Sequence, residues 1–347
     1  MHISMGMSSA QNIRRIQSRH LQFISGLAVC ITLIFFSGVL CAPTHVAAKE
    51  YFHFTDLAMG TVIQLTVDAP NRESAKRAAK KAFIAIHTLE KDFNHRCLSG
   101  SVGQLNSAAG KKPVKVTPEA FSLIQRTLLF CEKTHGLFDI TIGVISTKPY
   151  YYKDLSEDNN DLINFRLVRV NSSERTVFLP REGMALDLGG VAKGTIVDYA
   201  VLVLKNEGIC TGIVEAGGDL FCFGEKKWDV GIEHPRLEGL LGVISTNNKA
   251  VCTSGDYRQF SYMQGRHTRS HHIIDPDKMK SADRSIGVTV IAPTAELADA
   301  LATTLFIMGP EAGKEFLAKN YPNSSALWVL PDLKLMKTKD FPLCVTK

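Results

Sequence analysis

Segments of helical period and segments of strand period alternate irregularly along this chain, and that order limits its fold more than any other feature. "TVIQLTVDA", Thr61 to Ala69, alternates apolar and polar residues like a half-buried strand. "NRESAKRAAKKAFIAIHTLEKDF" follows with helical periodicity, and Asn71 is its start signal. "TPEAFSLIQRTLLFCEKTHG" predicts a second helix, with Thr117 as cap, Pro118 in the first position and Gly136 as the stop. Two strand-like runs between Asn164 and Leu188 flank "NSSER" and predict a hairpin. A helix over about Val191 to Asn206 comes next, then short strands with Gly-rich turns from Gly212 to Ile291. A last helix is expected over about Thr294 to Met308, ending at Gly309. Hairpin-like connections outnumber strict β-α-β units, which predicts an α+β fold and not a doubly wound parallel sheet.

A chain of 347 residues can bury a large core in one or two domains. Its net charge of +6 overstates the basicity of the folded part. Three of the 40 Lys and Arg (Arg14, Arg15 and Arg19) lie in the first 48 residues, which hold no acid, so 37 basic side chains face 34 acidic ones from Lys49 onward. That balance gives no nucleic-acid footprint. The three arginines precede an apolar run, Leu21 to Leu40, and "APTHVAAKE" offers Val46 and Ala48 for cleavage before Lys49. Residues 1–48 are therefore expected to be an export signal or, because the run is long, a retained N-terminal membrane anchor. Positive charge before the run places residues 49–347 outside the cytoplasm in either case. Bulky Leu40 argues against lipid attachment at Cys41. Of the six cysteines beyond this segment none are spaced C-x-x-C, which disfavours zinc. Cys131, Cys210, Cys222 and Cys252 sit in apolar runs and are expected to be buried thiols.

"DLGGVAKG", Asp187 to Gly194, puts a glycine turn between a strand-like run and a helix. The spacing fits neither the Walker pattern nor G-x-G-x-x-G. What remains is a turn at Gly189-Gly190 with Lys193 in the first helical turn, where the helix N-terminus and a lysine favour an anion. Asp187 suits a ring or ribose donor better than a bare phosphate. By itself the stretch also reads as a plain strand-to-helix turn with an exposed lysine. "GLFDITIG" places Asp139 directly after a helix stop, and "EAGGDL" places Asp219 behind two glycines. "VCTSGDYRQF" reads as a turn at Ser254-Gly255-Asp256, and "HHIIDP" sets His271 and His272 before a strand-like pair. In "ELADALATTL" Asp299 and Thr303 are four apart on one helix face, hard oxygen donors suited to Mg²⁺, although such a pair also occurs on solvated helix surfaces.

The order of these stretches, "MGT" (Met59–Thr61), "GLFDITIG", "DLGGVAKG", "AGGD", "TSGDY", "HHIIDP" and "ADALATTL", resembles the ApbE family of flavin transferases, from about Thr55 to Gly309. The resemblance implies an α+β fold with mixed and antiparallel sheets and an FAD cleft between two lobes, formed by residues 49–347. It implies FAD:protein FMN transfer: FMN moves from FAD to a Thr or Ser hydroxyl of an exported acceptor and AMP leaves. Acceptors would be subunits of membrane redox complexes with a Thr-containing flavinylation motif of the Asp-Gly-x-Thr-Gly-Ala-Thr kind.

By the same resemblance the Gly190 carbonyl, Asp299 and Thr303 hold Mg²⁺, and His272 is the catalytic base. Met59, Leu137, Phe138, Asp139, Asp187, Lys193 and Ile273 contact FAD. Arg96, in "FNHRCLSGSVGQLN", stands where the family commonly stacks an aromatic residue on the isoalloxazine, and arginine can also stack. The same stretch is less acidic than is usual in the family. These departures bear on flavin affinity and keep two alternatives open: an FAD pyrophosphatase giving FMN and AMP, and an exported FAD-binding protein without turnover. Histidines satisfied in a loop are the plainer reading for His271 and His267.

Overall fold

The computed structural model describes residues 50–148, 160–257, 260–262 and 269–344. Residues 1–48, expected to be an export signal or anchor, and His267 lie outside them. Strands β1 (Tyr51–Ala58), β2 (Thr61–Asp68), β3 (Gly212–Ala216), β4 (Asp219–Phe223), β5 (Lys249–Gly255), β6 (Gly287–Ala292), β7 (Ser325–Val329) and β8 (Leu335–Lys337) form one eight-stranded sheet. Their spatial order is their chain order, and each pairs antiparallel with the next. The five longest helices among the described residues are insertions into this meander: α1 (Arg72–Phe93), α2 (Pro118–Lys133), α3 (Ala192–Asn206), α4 (Ala295–Met308) and α5 (Pro310–Asn320). α1 packs on β1 and β2, α3 on β3 and β4, and α4 on β5 and β6, with α3 between its two neighbours. Mixed helices and antiparallel sheets make this the α+β fold expected from the segment order.

Strand period 2 sorts side chains to two cores. Phe221 and Phe223 of β4, Cys252 of β5, Val288 and Val290 of β6 and Trp328 of β7 face the helices. Leu220, Cys222, Val251, Ile291 and Leu327 face the other way, against Ile232 and Ile244 of a hairpin, Trp228–Glu233 with Leu240–Thr246. Because both faces of its centre are covered, β4 and β6 are buried along their entire lengths, and apart from Asp219 and Thr289 their sequences are apolar.

Local chemistry sets the helix ends. The side chains of Asn71, Thr117 and Thr294 accept the N–H groups of Ser74, Ala120 and Leu297 at 2.9, 3.1 and 3.2 Å. Gly136 follows α2 at φ +88°. "NSSER" does turn a hairpin, with Arg169–Asn171 against Thr176–Phe178, to which Val114–Lys115 adds a third strand.

Several expectations are corrected. The helix ending at Gly309 is not the last: Gly309, at φ +78°, closes α4 and Pro310 opens α5 in the first position, so a Gly-Pro stop signal doubles as a start. β1, β7 and β8 are strands beyond those that the sequence pattern predicts. Ser254 and Gly255 are not in a turn but end β5, opposite Val288 and Gly287. Cys131, Cys222 and Cys252 are buried, and burial pushes the first two thiols up to about 12. Cys210 is exposed, because Ile209 takes the buried position after α3.

Candidate active site

A cleft of about 740 Å³ opens where the β1–β2 turn, the end of α1, the segment after α2, the turn into α3, the end of β5 and the cleft face of α4 converge. That is ample for a large cofactor-sized ligand. All twelve residues singled out from the sequence border it: Met59, Arg96, Leu137, Phe138, Asp139, Asp187, Gly190, Lys193, His272, Ile273, Asp299 and Thr303.

On one wall the chain reverses at Met59-Gly60, with φ of +53° and +70°, a two-residue turn joining the facing pair Ala58 and Thr61. A methionine in the left-handed region is strained. It is held there by Glu90 of α1, whose Oε1 accepts the Met59 N–H at 2.5 Å. Beyond the end of α1, Arg96 is exposed at the cleft, its N–H bound to Asn94 Oδ1 at 2.9 Å.

Asp139 anchors the segment after α2. Its Oδ1 accepts the N–H and hydroxyl of Thr141 at 2.7 and 2.6 Å, and its Oδ2 accepts the Phe165 N–H at 2.9 Å. Burial raises its pKa, against the pull of these donors. With both oxygens so engaged, Asp139 shapes the loop that presents Leu137 and Phe138 to the cleft. Phe138 is buried, edge-on to Phe130 at 5.2 Å. Asp187 likewise accepts the Gly189 N–H at 2.8 Å and the Ser146 hydroxyl at 2.5 Å, fixing the glycine turn. A Cβ on Gly190 would lie 3.0 Å from the Phe138 ring and 3.5 Å from Thr303 Oγ1, so its absence lets this turn sit close to α4.

A second group of charges gathers where the start of α3 meets β4 and α4. Lys193 is not the exposed lysine of a plain turn: its ammonium donates to Asp219 Oδ2 and lies 3.8 Å from Asp299 Oδ1. Gly217 and Gly218, at φ +60° and +94°, turn β3 into β4 and deliver Asp219 to that point, where its Oδ1 also accepts the Thr253 N–H at 3.2 Å. Asp299 is no surface residue either, being 4% exposed, and its Oδ2 accepts the Gly194 N–H at 3.0 Å. Desolvation raises its pKa, and Lys193 and the Gly194 N–H act in the opposite sense. Thr303 Oγ1 is 3.3 Å from Ser254 Oγ. Among the described residues no three His, Cys, Asp or Glu side chains gather for a metal. The oxygens that do gather are the buried carboxylates of Asp299 and of Asp219, which the Lys193 ammonium bridges, with hydroxyls and the main chain of the Gly190 turn.

His271 and His272 part company. His271 ends the strand Arg269–His271, is 3% exposed, and has Nε2 2.9 Å from the Ala282 carbonyl and its ring edge-on to Phe306. Burial lowers its pKa. His272 sits in the bend that follows and lines the cleft beside buried Ile273. Glu90, Asp219, Ser254 and Ser146 join the site without having been assigned a role from the sequence. The glycine pair before Asp219 and the "TSGDY" stretch around Ser254 are local signals; Glu90 and Ser146 lie in ordinary helix sequence.

Residues 59–328 match the sequence profile of the ApbE family. The chain is 29% identical over 339 residues to the FAD:protein FMN transferase of Treponema pallidum (strain Nichols), covering 89% of this chain and 91% of that protein. It is 26% identical over 341 residues to the FAD:protein FMN transferase of Escherichia coli (strain K12), covering 89% and 96%. The crystal structure of the ApbE protein of Thermotoga maritima superimposes with a TM-score of 0.76 at 28% identity, over 84% of this chain and 97% of that one. The flavin transferase ApbE of Vibrio cholerae shares the fold, with a TM-score of 0.71 at 21% identity over 84% and 97%. A profile that runs from the Met59 turn to Trp328 of β7 takes in every wall of the cleft, and the chain belongs to the ApbE family.

Proposed function

We propose that this chain transfers FMN from FAD to a threonine or serine hydroxyl of an exported acceptor protein, with Mg²⁺, and releases AMP. The observation that carries the reading is the convergence of Asp299, Thr303 and the Gly190 turn on one wall of the cleft that His272 also lines.

The donors fit the ion. Asp299 is buried with the Lys193 ammonium 3.8 Å from its Oδ1, and the hydroxyl of Thr303 and the carbonyl of Gly190 would complete a hard-oxygen set. When bound there, Mg²⁺ supplies positive charge against the diphosphate of FAD. Lys193 adds an ammonium to the same wall, and Met59, Leu137, Phe138 and Ile273 supply apolar contact for the flavin nucleotide. His272 takes the proton of the acceptor hydroxyl. The hydroxyl oxygen forms a bond to the FMN phosphorus, the bond from that phosphorus to the bridging oxygen breaks, and AMP departs with the electron pair. The exposed Arg96, where an aromatic is common in the family, favours one second reading, in which water replaces the hydroxyl and the products are FMN and AMP. We further propose that residues 1–48 deliver the domain to the periplasmic side, as a cleaved signal or an anchor, on the strength of their basic and apolar segments.

The test combines purified protein, FAD, Mg²⁺ and a peptide bearing the threonine motif. A peptide heavier by FMN supports transfer, whereas AMP release without peptide labelling supports hydrolysis. Bound FAD with no AMP would defeat both. Asp299→Ala is expected to abolish Mg²⁺-dependent turnover while FAD binding largely survives.

A further inference from the structure

The two helices that frame the metal-side donors are joined through their first turns. First-turn N–H groups of a helix have no partner within it. Here each helix supplies partners to the other. Asp198 of α3 accepts the Ala295 N–H on Oδ1 and the Glu296 N–H on Oδ2, both at 2.9 Å, at the start of α4. In return Asp299 of α4 accepts the Gly194 N–H at the start of α3, at 3.0 Å. α3 has no side-chain cap of its own at Val191. The backbones touch at this crossing, since a Cβ on Gly194 would overlap the Ala295 carbonyl. Glu296 adds a third tie, accepting from the Thr195 hydroxyl at 3.0 Å and from Arg126 of α2 at 2.7 and 2.6 Å.

Asp198 does not border the cleft. We propose that it is a positioning residue for the metal side of the site. Two bonds from one carboxylate to successive N–H groups fix both the rotation and the height of α4 against α3. Asp299 lies about one turn further along α4 and Thr303 a turn beyond that, so this tie sets their separation from the Gly190 turn at the head of α3. A helix needing only a cap has one within its own sequence, and α4 has it in Thr294, which accepts the Leu297 N–H. Asp198 does what a local cap cannot, which is to hold one helix relative to the other.

The inference rests on the Mg²⁺-dependent reading above, and the experiment separates the two. Mn²⁺ is titrated into FAD-loaded full-length protein with free Mn²⁺ followed by electron paramagnetic resonance. Half-saturating Mg²⁺ for AMP release, FAD affinity without metal, and melting temperature are measured alongside. Asp198→Asn keeps the shape but can accept only one of the two N–H groups. It is expected to raise the metal concentration at half-saturation about 10- to 100-fold, as loss of outer-shell support does, with metal-free FAD affinity unchanged. Thr294→Ala, which removes the local cap of the same helix, is expected to lower the melting temperature without that shift. Should the Asn variant not fold, Asp198→Glu carries the test, since it keeps both acceptors but lengthens the tie by one methylene and is expected to shift half-saturation too. Unchanged half-saturation in the folded Asp198 variant, or an equal shift in Thr294→Ala, overturns the assignment. If the wild type binds no Mn²⁺ that Asp299→Ala removes, the metal reading itself fails and this one falls with it.

Discussion

Glu90 Oε1 accepts the main-chain N–H of Met59 at 2.5 Å, tying the end of α1 to the turn between β1 and β2 that forms one wall of the cleft. A charge-assisted bond of this kind contributes about 1.5–3 kcal/mol. Glu90→Ala is therefore expected to loosen the turn and weaken FAD binding by about tenfold, with kcat at saturating FAD little changed. Equilibrium binding and a KM-against-kcat comparison read this out.

Met59 itself holds φ +53° in a two-residue turn that prefers Asn-Gly. Met59→Asn should relieve the left-handed strain and stabilise the protein by about 0.5–1 kcal/mol. It should also remove apolar contact and reduce FAD affinity. A urea titration beside a binding titration shows the opposite signs; a variant both less stable and equally tight would refute the assignment.

For His272, transfer to a threonine peptide is expected to fall by about 10²–10⁴-fold in His272→Asn, with FAD binding little changed. His271→Asn acts on stability instead, because the His271 side chain is buried while His272 lines the cleft. It breaks the contact with the Ala282 carbonyl and the ring contact with Phe306 in the core, and should cost about 1–3 kcal/mol of stability while the surviving folded protein keeps its pH profile. Chemical denaturation and single-turnover kinetics distinguish the two variants.

Lys193 is the cation between two buried carboxylates, Asp219 and Asp299. Breaking a buried ion pair costs about 3–5 kcal/mol, and the partial exposure of Lys193 lowers the figure here to about 2–3 kcal/mol for Lys193→Met. Mg²⁺ should restore part of that loss by neutralising Asp299. Melting temperatures with and without Mg²⁺ test it; equal metal effects on wild type and variant would rule it out.

His87 and Asp56 give the fold a pH signature. His87 Nε2 lies 2.9 Å from Asp56 Oδ2; the hydrogen bond to Asp56 raises the histidine pKa, and the bond to His87 lowers that of the aspartate. The raised histidine stabilises fully below its ordinary 6.5 and loses that contribution as pH rises through the folded value. The lowered aspartate stabilises fully above its ordinary 3.8 and loses that contribution as pH falls through the folded value. Stability from the pair is thus greatest between these values. Because both groups are exposed and screened, the effect is under about 1 kcal/mol. His87→Gln should flatten the fall in stability as pH rises above the ordinary histidine value of 6.5, read in parallel denaturant titrations.

Some of this protein is written locally. Asn71, Thr117 with Pro118, and Thr294 mark helix starts because a cap acts on an N–H three residues away, and the same short range makes "NSSER" legible as a hairpin. The spacing of Asp299 and Thr303 already puts them on one helix face, and the ordered motifs carried the family resemblance and with it the twelve assigned residues that border the cleft, but not Glu90 or Ser146. What those side chains do to one another was decided elsewhere. Cys210 and Cys222 both sit in apolar runs, yet only the second is covered, because covering needs a second layer and the hairpin Trp228–Glu233 with Leu240–Thr246 supplies it. Lys193 meets Asp219 across 26 positions, Met59 meets Glu90 across 31, and Asp198 and Asp299 cross-link two helix starts across about a hundred. Periodicity and capping report on a few residues of chain, whereas these bonds depend on strands and helices brought side by side by burial of the two cores. The sequence determined which elements form and which residues stand at their ends; only the tertiary structure decided which carboxylate faces which cation, N–H or helix.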